Sequence, residues 1–191
     1  MSSQRSVLVN FHSKGVVILA AYDFSGFQRL VDVGGGQGEI LHGILSANPK
    51  LQGVLTDKPA VIAGSTLRAG TIADRCELVG GDFFESVPEV ADAYLLSFVV
   101  HDWNDTAALK ILRNCRRAIR PNGKLLLIER VLKPANQADD GKLADLNMLV
   151  MLGGRERTEA EFRALLHEAG FHLNRVIPTA GPMSIIESLP A

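Results

Sequence analysis

A histidine followed by an acidic and an aromatic residue occurs in the string His101-Asp102-Trp103. It follows an apolar strand pattern and precedes Asn104 or Asp105, either of which can begin a helix. A histidine held between two regular elements has little freedom, and its pKa lies near neutral pH, so it suits a general base. Asp102 could orient the imidazole, and the tryptophan offers a flat face for stacking. An ordinary histidine at the start of a loop is the alternative interpretation.

A glycine-rich turn is the second candidate for chemistry, because the string LVDVGGGQG contains Gly34, Gly35, Gly36 and Gly38. Their spacing is GxGxG, whereas a dinucleotide fingerprint needs GxGxxG, and Glu39 stands where its third glycine is required. A carboxylate in the first helical turn repels a pyrophosphate, which disfavours an NAD-dependent oxidoreductase. Asp57 follows Gly38 by 19 residues, at a predicted strand end, where it can accept hydrogen bonds from the ribose hydroxyls of any adenosine cofactor. A tight turn and an ordinary loop acid remain the alternative.

Composition narrows the function classes. The 20 basic and 21 acidic residues give a formal net charge of −1, so no positive excess attracts nucleic acid or an anionic membrane. Cys76 and Cys115 are far apart, and the other four histidines show no HxH or HExxH spacing, so neither a disulfide nor a metal site is predicted. The apolar run Val16–Ala21 is too short for a signal peptide or a membrane span. We expect a cytoplasmic protein whose partner is not a polyanion.

Strand and helix patterns alternate along the 191 residues. The predicted strands are Leu30–Val33, Leu51–Thr56, Cys76–Val79, Ala93–Val100, Lys124–Val131, Phe171–Ile177 and Met183–Glu187. The clearest helix carries an apolar stripe at Ala108, Ile111, Leu112, Cys115 and Ile119, and Thr158 with Glu161 predicts a capping box for another. This order indicates an α/β fold with a mostly parallel open sheet and a terminal antiparallel strand pair. In such sheets the ligand binds beyond the carboxyl ends of the strands, next to strand one.

Eight strings in register, from about Ala20 to Glu187, resemble the methyltransferase domain of a known family. They are LVDVGGGQG, GVLTDKPAVI, VGGDFFESVP, DAYLLSFVVHDWND, ILRNCRRAI, GKLLLIERVL, DLNMLVMLGGRERTEAEF and LHEAGF. The family is that of the O-methyltransferases that include the caffeate and acetylserotonin enzymes. The resemblance implies a Rossmann-like class I methyltransferase with a seven-stranded sheet, S-adenosyl-methionine as methyl donor and a phenolic small molecule as acceptor.

The same resemblance implies a cofactor site. The glycine turn would hold the methionine end of S-adenosyl-methionine, and Asp57 would hold its ribose. The residues implied beside them are Asp82 and Phe83 for the adenine, Trp103 near the cofactor, and Ser97 as a polar contact where the family often has lysine.

The resemblance also implies a catalytic site. His101 corresponds to the family's general base, and Glu129 and Glu156 correspond to two acids that flank it. Met148 and Met151 fall in the segment that helps to line the acceptor pocket. As alternatives, Glu129 could form a salt bridge at a strand end, and Glu156 could be a favourable acid near a helix start.

Two domains follow from the resemblance. Residues 1–22 are predicted to be a helical remnant of a dimerisation region, and residues 23–191 the methyltransferase domain. Family members carry a helical domain before the methyltransferase domain, which forms part of the acceptor pocket and the dimer interface. We therefore expect a homodimer, or a partner that supplies this domain. The alternative is a truncated, non-catalytic module that binds S-adenosyl-methionine or pairs with another chain.

Overall fold

The computed structural model describes residues 16–133 and 154–191, and a seven-stranded sheet is its main feature. The strands of these residues are β1 (Arg29–Val33), β2 (Gln52–Asp57), β3 (Cys76–Gly80), β4 (Ala91–Ser97), β5 (Ile119–Glu129), β6 (Val131–Leu132), β7 (Arg157–Thr158), β8 (Phe171–Pro178) and β9 (Ser184–Pro190). The large sheet has the order β3-β2-β1-β4-β5-β9-β8, and β6 pairs with β7 separately. All neighbours in the large sheet are parallel except β9, which is antiparallel to β5 and β8. The predicted sheet with its terminal antiparallel pair is confirmed.

Helices cover both faces of this sheet. Residues 16–21 lie in a helix, α1, and the following helices are α2 (Glu39–Ala47), α3 (Pro59–Ile62), α4 (Asp105–Ala118) and α5 (Glu159–Glu168). Leu112 of α4 and Phe162 of α5 pack into one core cluster, whereas Ile18 and Leu41 pack into the other. Because β4 is covered on both faces, its central residues Ala93 to Leu96 are all apolar and fully buried.

The strand order reverses between β1 and β4, and the glycine turn lies at this switch point. Gly34, Gly36 and Gly38 have φ angles of 68°, 61° and 87°, a left-handed region in which a side chain causes strain. The amide of Gly34 donates to the carbonyl of Thr56 at 2.8 Å, and α2 begins directly after Gly38. The turn therefore opens the crevice beyond β1 in which ligands of this fold class bind.

The end of β4 differs from the prediction, because the strand ends at Ser97 and not at Val100. The chain continues into a 3-10 turn at Val100–Asp102, which carries the histidine. Glu129, at the end of β5, accepts hydrogen bonds from the amides of Val99 and Val100 at 3.2 and 2.7 Å. The apolar pattern predicted that these two amides belong to the strand. In the structure they bind instead to a carboxylate that is distant in sequence.

The predicted helix starts agree with the structure. The side chain of Asn104 accepts a hydrogen bond from the amide of Ala107 at 3.0 Å and caps α4, and the capping box of Thr158 and Glu161 is present. Of residues 16–22, the described part of the predicted N-terminal segment, 16–21 are helical, and the assignment of this segment to a dimerisation region stays a prediction. In the two described stretches, no helix combines the length and the apolar character that crossing a bilayer requires.

Candidate active site

A cavity of about 270 Å³ lies beyond the carboxyl ends of β1 and β4. Its lining consists of Asp32, Gly34, Gly35, Gly36, Gln37, Glu39, Ile40, Ser97 and Phe98. The two charged residues among these are both acidic, so the described wall of the cavity favours a ligand with positive charge.

Two buried polar groups face this cavity without a hydrogen-bond partner. Asp32 is 1% exposed, and its Oδ1 atom accepts no hydrogen bond; the hydroxyl of Ser97 is also unpartnered. Burial, together with the smaller effect of the negative charge of Asp57, raises the pKa of Asp32 to about 7. Unsatisfied buried polar groups are costly, so they indicate a place where a ligand supplies the missing partner.

Asp57, the predicted ribose acid, lies next to the glycine turn. Its Oδ2 accepts a hydrogen bond from the amide of Gly36 at 2.8 Å, and its Oδ1 accepts one from the amide of Lys58 at 2.7 Å. Each carboxylate oxygen has a further lone pair, so the group retains capacity for ribose hydroxyls. The acid therefore also fixes the shape of the turn, which its spacing alone did not predict.

An aromatic cluster lies next to the glycine turn. Phe83 packs beside Gly34, where an added Cβ atom would come within 3.3 Å of its ring. The rings of Phe83 and Phe84 lie 6.1 and 4.7 Å from that of Trp103. Asp82 caps this segment, since its Oδ1 accepts a hydrogen bond from the amide of Phe84 at 2.8 Å. The predicted adenine residues and the tryptophan thus form one cluster.

His101 is held by Glu129. The imidazole Nδ1 lies 2.6 Å from Oε2 of Glu129, which is fully buried, and Nε2 lies 3.3 Å from Oδ1 of Asp102. The other oxygen of Glu129 accepts the amides of Val99 and Val100, so both carboxylate oxygens are used. The ring of Phe98, which lines the cavity, lies 6.2 Å from the histidine ring. The structure therefore brings the predicted base and one of its two acids together, next to a residue that lines the cavity.

Opposing effects act on the pKa of His101. Burial lowers it, but the hydrogen bond to Glu129 and the charges of Glu129, Asp102 and Glu156 outweigh burial, so the pKa is raised above its ordinary value of 6.5. The bond to Glu129 also favours the tautomer with the proton on Nδ1. Nε2 then carries the lone pair that a general base needs.

Glu156, the second predicted acid, acts on His101 through its charge. It is buried, and one of its oxygens lies 4.0 Å from Nε of Arg130. Its charge contributes to the raised pKa of the imidazole. Met148 and Met151 lie outside the described residues.

Sequence reasoning missed two residues of this site, Asp32 and Arg157. The guanidinium of Arg157 is buried and donates to the carbonyls of Val100 and Trp103, at the two ends of the turn that carries His101. Asp32 is a charged residue in an otherwise apolar strand, and Arg157 stands in a string of charged residues. A charged side chain that is buried needs a specific partner, so an acid in an apolar strand could have been singled out from the sequence.

Among residues 16–133 and 154–191, no three His, Cys, Asp or Glu side chains are grouped so that they could hold a metal ion.

The sheet order, the glycine turn and the carboxyl-end cavity define a Rossmann-like class I methyltransferase fold. Residues 7–172 match the family described as the O-methyltransferase domain, and the chain belongs to that family. The resemblance inferred from the eight strings is thereby confirmed.

Individual relatives agree with this assignment. Phenazine O-methyltransferase PhzM of Lysobacter antibioticus is 47% identical over 175 residues, which cover 91% of this chain and 51% of that protein. The crystal structure of the O-methyltransferase NcsB1 with S-adenosylmethionine and 2-hydroxy-5-methyl naphthoic acid has a TM-score of 0.87 and 33% identity, over 99% of this chain and 57% of that one. Human N-acetylserotonin methyltransferase with S-adenosylmethionine has a TM-score of 0.85 and 30% identity, over 93% and 52%. This chain spans about half the length of the curated relatives it matches.

Proposed function

We propose that this chain carries the catalytic domain of an S-adenosyl-methionine-dependent O-methyltransferase whose acceptor is a hydroxyl group on a small aromatic molecule. The observation that supports it most is the 2.6 Å contact between His101 and the buried Glu129, beside a cavity with an acidic lining. A relative at 47% identity is named a phenazine O-methyltransferase, and a solved neighbour is bound to a hydroxylated naphthoic acid.

The described residues fit the cofactor. S-adenosyl-methionine carries positive charge on its ammonium and sulfonium groups, and the cavity offers the unpartnered oxygens of Asp32 and Ser97. The glycine turn would hold the methionine end, with Asp57 on the ribose. The adenine would lie at Asp82 and Phe83, with Trp103 beside them. When bound, S-adenosyl-methionine supplies an electrophilic methyl group.

His101 would act as the general base. A phenol has a pKa of about 10, so at neutral pH its oxygen needs to lose the proton as it attacks. Nε2 of the imidazole would accept that proton, while Glu129 keeps Nδ1 protonated and stabilises the imidazolium that results. The charge of Glu156 would support the same protonated state. A large part of the acceleration would come from holding the acceptor oxygen in line with the methyl group.

The acceptor pocket would include residues beyond those described. We propose that Met148 and Met151 line it, and that a helical dimerisation region completes it, in a homodimer or through a partner chain. Residues 1–22 would be the end of that region, and residues 23–191 the methyltransferase domain. Both cysteines are free thiols, which supports a cytoplasmic location.

Two measurements test the proposal. Calorimetry with S-adenosyl-methionine and with NADH should give binding for the first and none for the second, because Glu39 opposes a pyrophosphate. Turnover is then measured on a panel of phenols, with the chain alone and with any partner chain that copurifies with it. Methyl transfer that disappears in His101→Ala supports the proposal. Cofactor binding without turnover in either form would favour the non-catalytic module instead.

A further inference from the structure

Arg157 is the largest fully buried side chain among the described residues, with 1% exposure. It lies in β7, the short strand that precedes α5. Burying a guanidinium is unfavourable unless its N–H groups donate hydrogen bonds to partners. The partners of a buried arginine therefore indicate which part of the protein it stabilises.

The donors of Arg157 are used on the segment that carries His101. Nη1 donates to the carbonyl of Val100 at 3.0 Å, and Nη2 donates to the carbonyl of Trp103 at 2.9 Å. These two carbonyls lie on either side of the histidine in sequence. Nε and Nη2 also donate to Oδ1 of Asp105, the first residue of α4, at 3.0 and 2.8 Å. One side chain therefore fixes both ends of the turn and the start of the next helix.

The neighbouring backbone adds to this contact. The amide of Arg155 donates to the carbonyl of His101 at 2.9 Å. Gly154 passes so close that an added Cβ atom would lie 2.1 Å from that same carbonyl oxygen. Residues 154–157 thus hold the carbonyls of the turn, whereas Glu129 holds its amides and the imidazole.

We propose that Arg157 is a positioning residue that keeps the imidazole of His101 aligned with Glu129. It contacts no reacting atom, and it acts through the backbone of residues 100–103. This inference rests on the proposed function only in taking His101 as the base. Lysine cannot replace it, because its four acceptors, the carbonyls of Val100, Trp103 and Arg155 and Oδ1 of Asp105, need a rigid planar fork and not a single ammonium group.

The test uses Arg157→Lys, which retains the positive charge and removes the fork. We expect kcat to fall by about 10- to 100-fold while the affinity for S-adenosyl-methionine stays constant, since misplacing a reacting group by about 1 Å costs that much. The pKa of His101, followed by NMR of the imidazole, should fall towards its ordinary value, because the bond to Glu129 loosens. The matched control is Arg163→Lys, an exposed arginine on α5 that pairs with Glu159.

The NMR titration needs no turnover, so it separates this inference from the proposed function. If His101→Ala remained active, the proposed base would be wrong, whatever the titration of Arg157→Lys showed. If Arg157→Lys were folded but its His101 pKa and kcat matched the parent, Arg157 would have no positioning role. A lower melting temperature alone would also contradict it, since a purely structural residue has that effect.

A second variant decides the question if Arg157→Lys does not fold. Asp105→Asn leaves Arg157 in place and weakens the two bonds that orient it. We expect the same changes, with a loss in kcat of about 3- to 10-fold. Asp105 is half exposed, so a pure charge effect on His101 would be screened at high salt, whereas a positional effect persists. A change that disappears at high salt, or no change, overturns the inference.

Discussion

The two halves of the site are built differently. In the half around His101, the side chains of Glu129 and Arg157 form hydrogen bonds to the segment that carries the histidine. Around the glycine turn, Oδ1 of Asp32 and the hydroxyl oxygen of Ser97 are buried atoms that have no hydrogen-bond partner among the described residues. The proposed base is thus held by the protein itself, whereas we expect the proposed cofactor half to gain its remaining hydrogen bonds from a ligand. Substitutions in the first half should reduce turnover, and those in the second should reduce affinity.

The largest effect is expected for His101→Ala. Loss of a general base lowers kcat by about 1,000-fold, because the acceptor hydroxyl keeps its proton. Calorimetry should find the affinity for S-adenosyl-methionine unchanged, since the base belongs to the other half. His167→Ala, at an exposed histidine of α5, is the control. Weakened cofactor binding in the His101 variant would contradict the division into halves.

Glu129→Gln should have the next largest effect. Gln cannot stabilise an imidazolium, so we expect kcat to fall by about 100-fold. In the parent, activity rises with pH as His101 loses its proton, with an inflection above 6.5 because its pKa is raised. The variant lacks the main raising contacts, so its inflection should move to lower pH. Glu77→Gln, on an exposed strand position, should leave the profile unchanged. An inflection that stays in place would show that Glu129 does not set this pKa.

Asp32→Asn tests the cofactor half. Removing a carboxylate that pairs with a cationic ligand should weaken S-adenosyl-methionine binding by about tenfold. Without ligand, the variant should be the more stable protein at neutral pH. The folded pKa of about 7 lies above the ordinary 3.8, so the parent loses stability as pH rises between these values, and the variant does not.

Chemical denaturation at pH 4 and pH 8, together with calorimetry, checks both effects of Asp32→Asn. Asp74→Asn, an exposed acid, is the control and should show neither. If the stability difference were equal at the two pH values, the carboxylate would not be titrating as proposed.

The smallest effect is expected for Ser97→Ala. One lost hydrogen bond should weaken S-adenosyl-methionine binding by about threefold, and removing an unpartnered buried hydroxyl should leave stability equal or slightly higher. Ser188→Ala is closely matched, because that hydroxyl is also buried and unpartnered but lies in β9. It should have the same effect on stability and none on affinity. Equal affinity losses in both variants would point to a general effect on the sheet.

Much of this architecture could be predicted from the sequence. The alternation of apolar strands and amphipathic helices gave the sheet and its switch point, because those patterns are local. The end of β4 could not be predicted, since Glu129 captures the amides of Val99 and Val100 from 29 or more positions away. Arg157 could not be predicted for a related reason. Its sequence neighbours are typical of a charged loop, and its burial depends on contacts that form only in the folded protein.

The resemblance to the family predicted which residues form the site, whereas the contacts between these residues are known only from the structure. Asp57 shows the difference, since its place at a strand end was predicted, whereas its hydrogen bond to the amide of Gly36 depends on how the turn folds. Asp32 is part of the first matched string, LVDVGGGQG. The apolar residues around it predict a strand, and this strand pattern does not indicate whether a single acid within it has a function.

Trp103 is the only tryptophan of the chain, and its ring lies edge-on to Phe83 and Phe84. Its carbonyl is also held by Arg157. The tryptophan fluorescence of the whole chain therefore originates at the junction of the two halves of the site. Under the proposed function, emission wavelength and anisotropy at this one position would report the binding of an adenosine ligand and the rigidity of the turn that carries His101, without any added label.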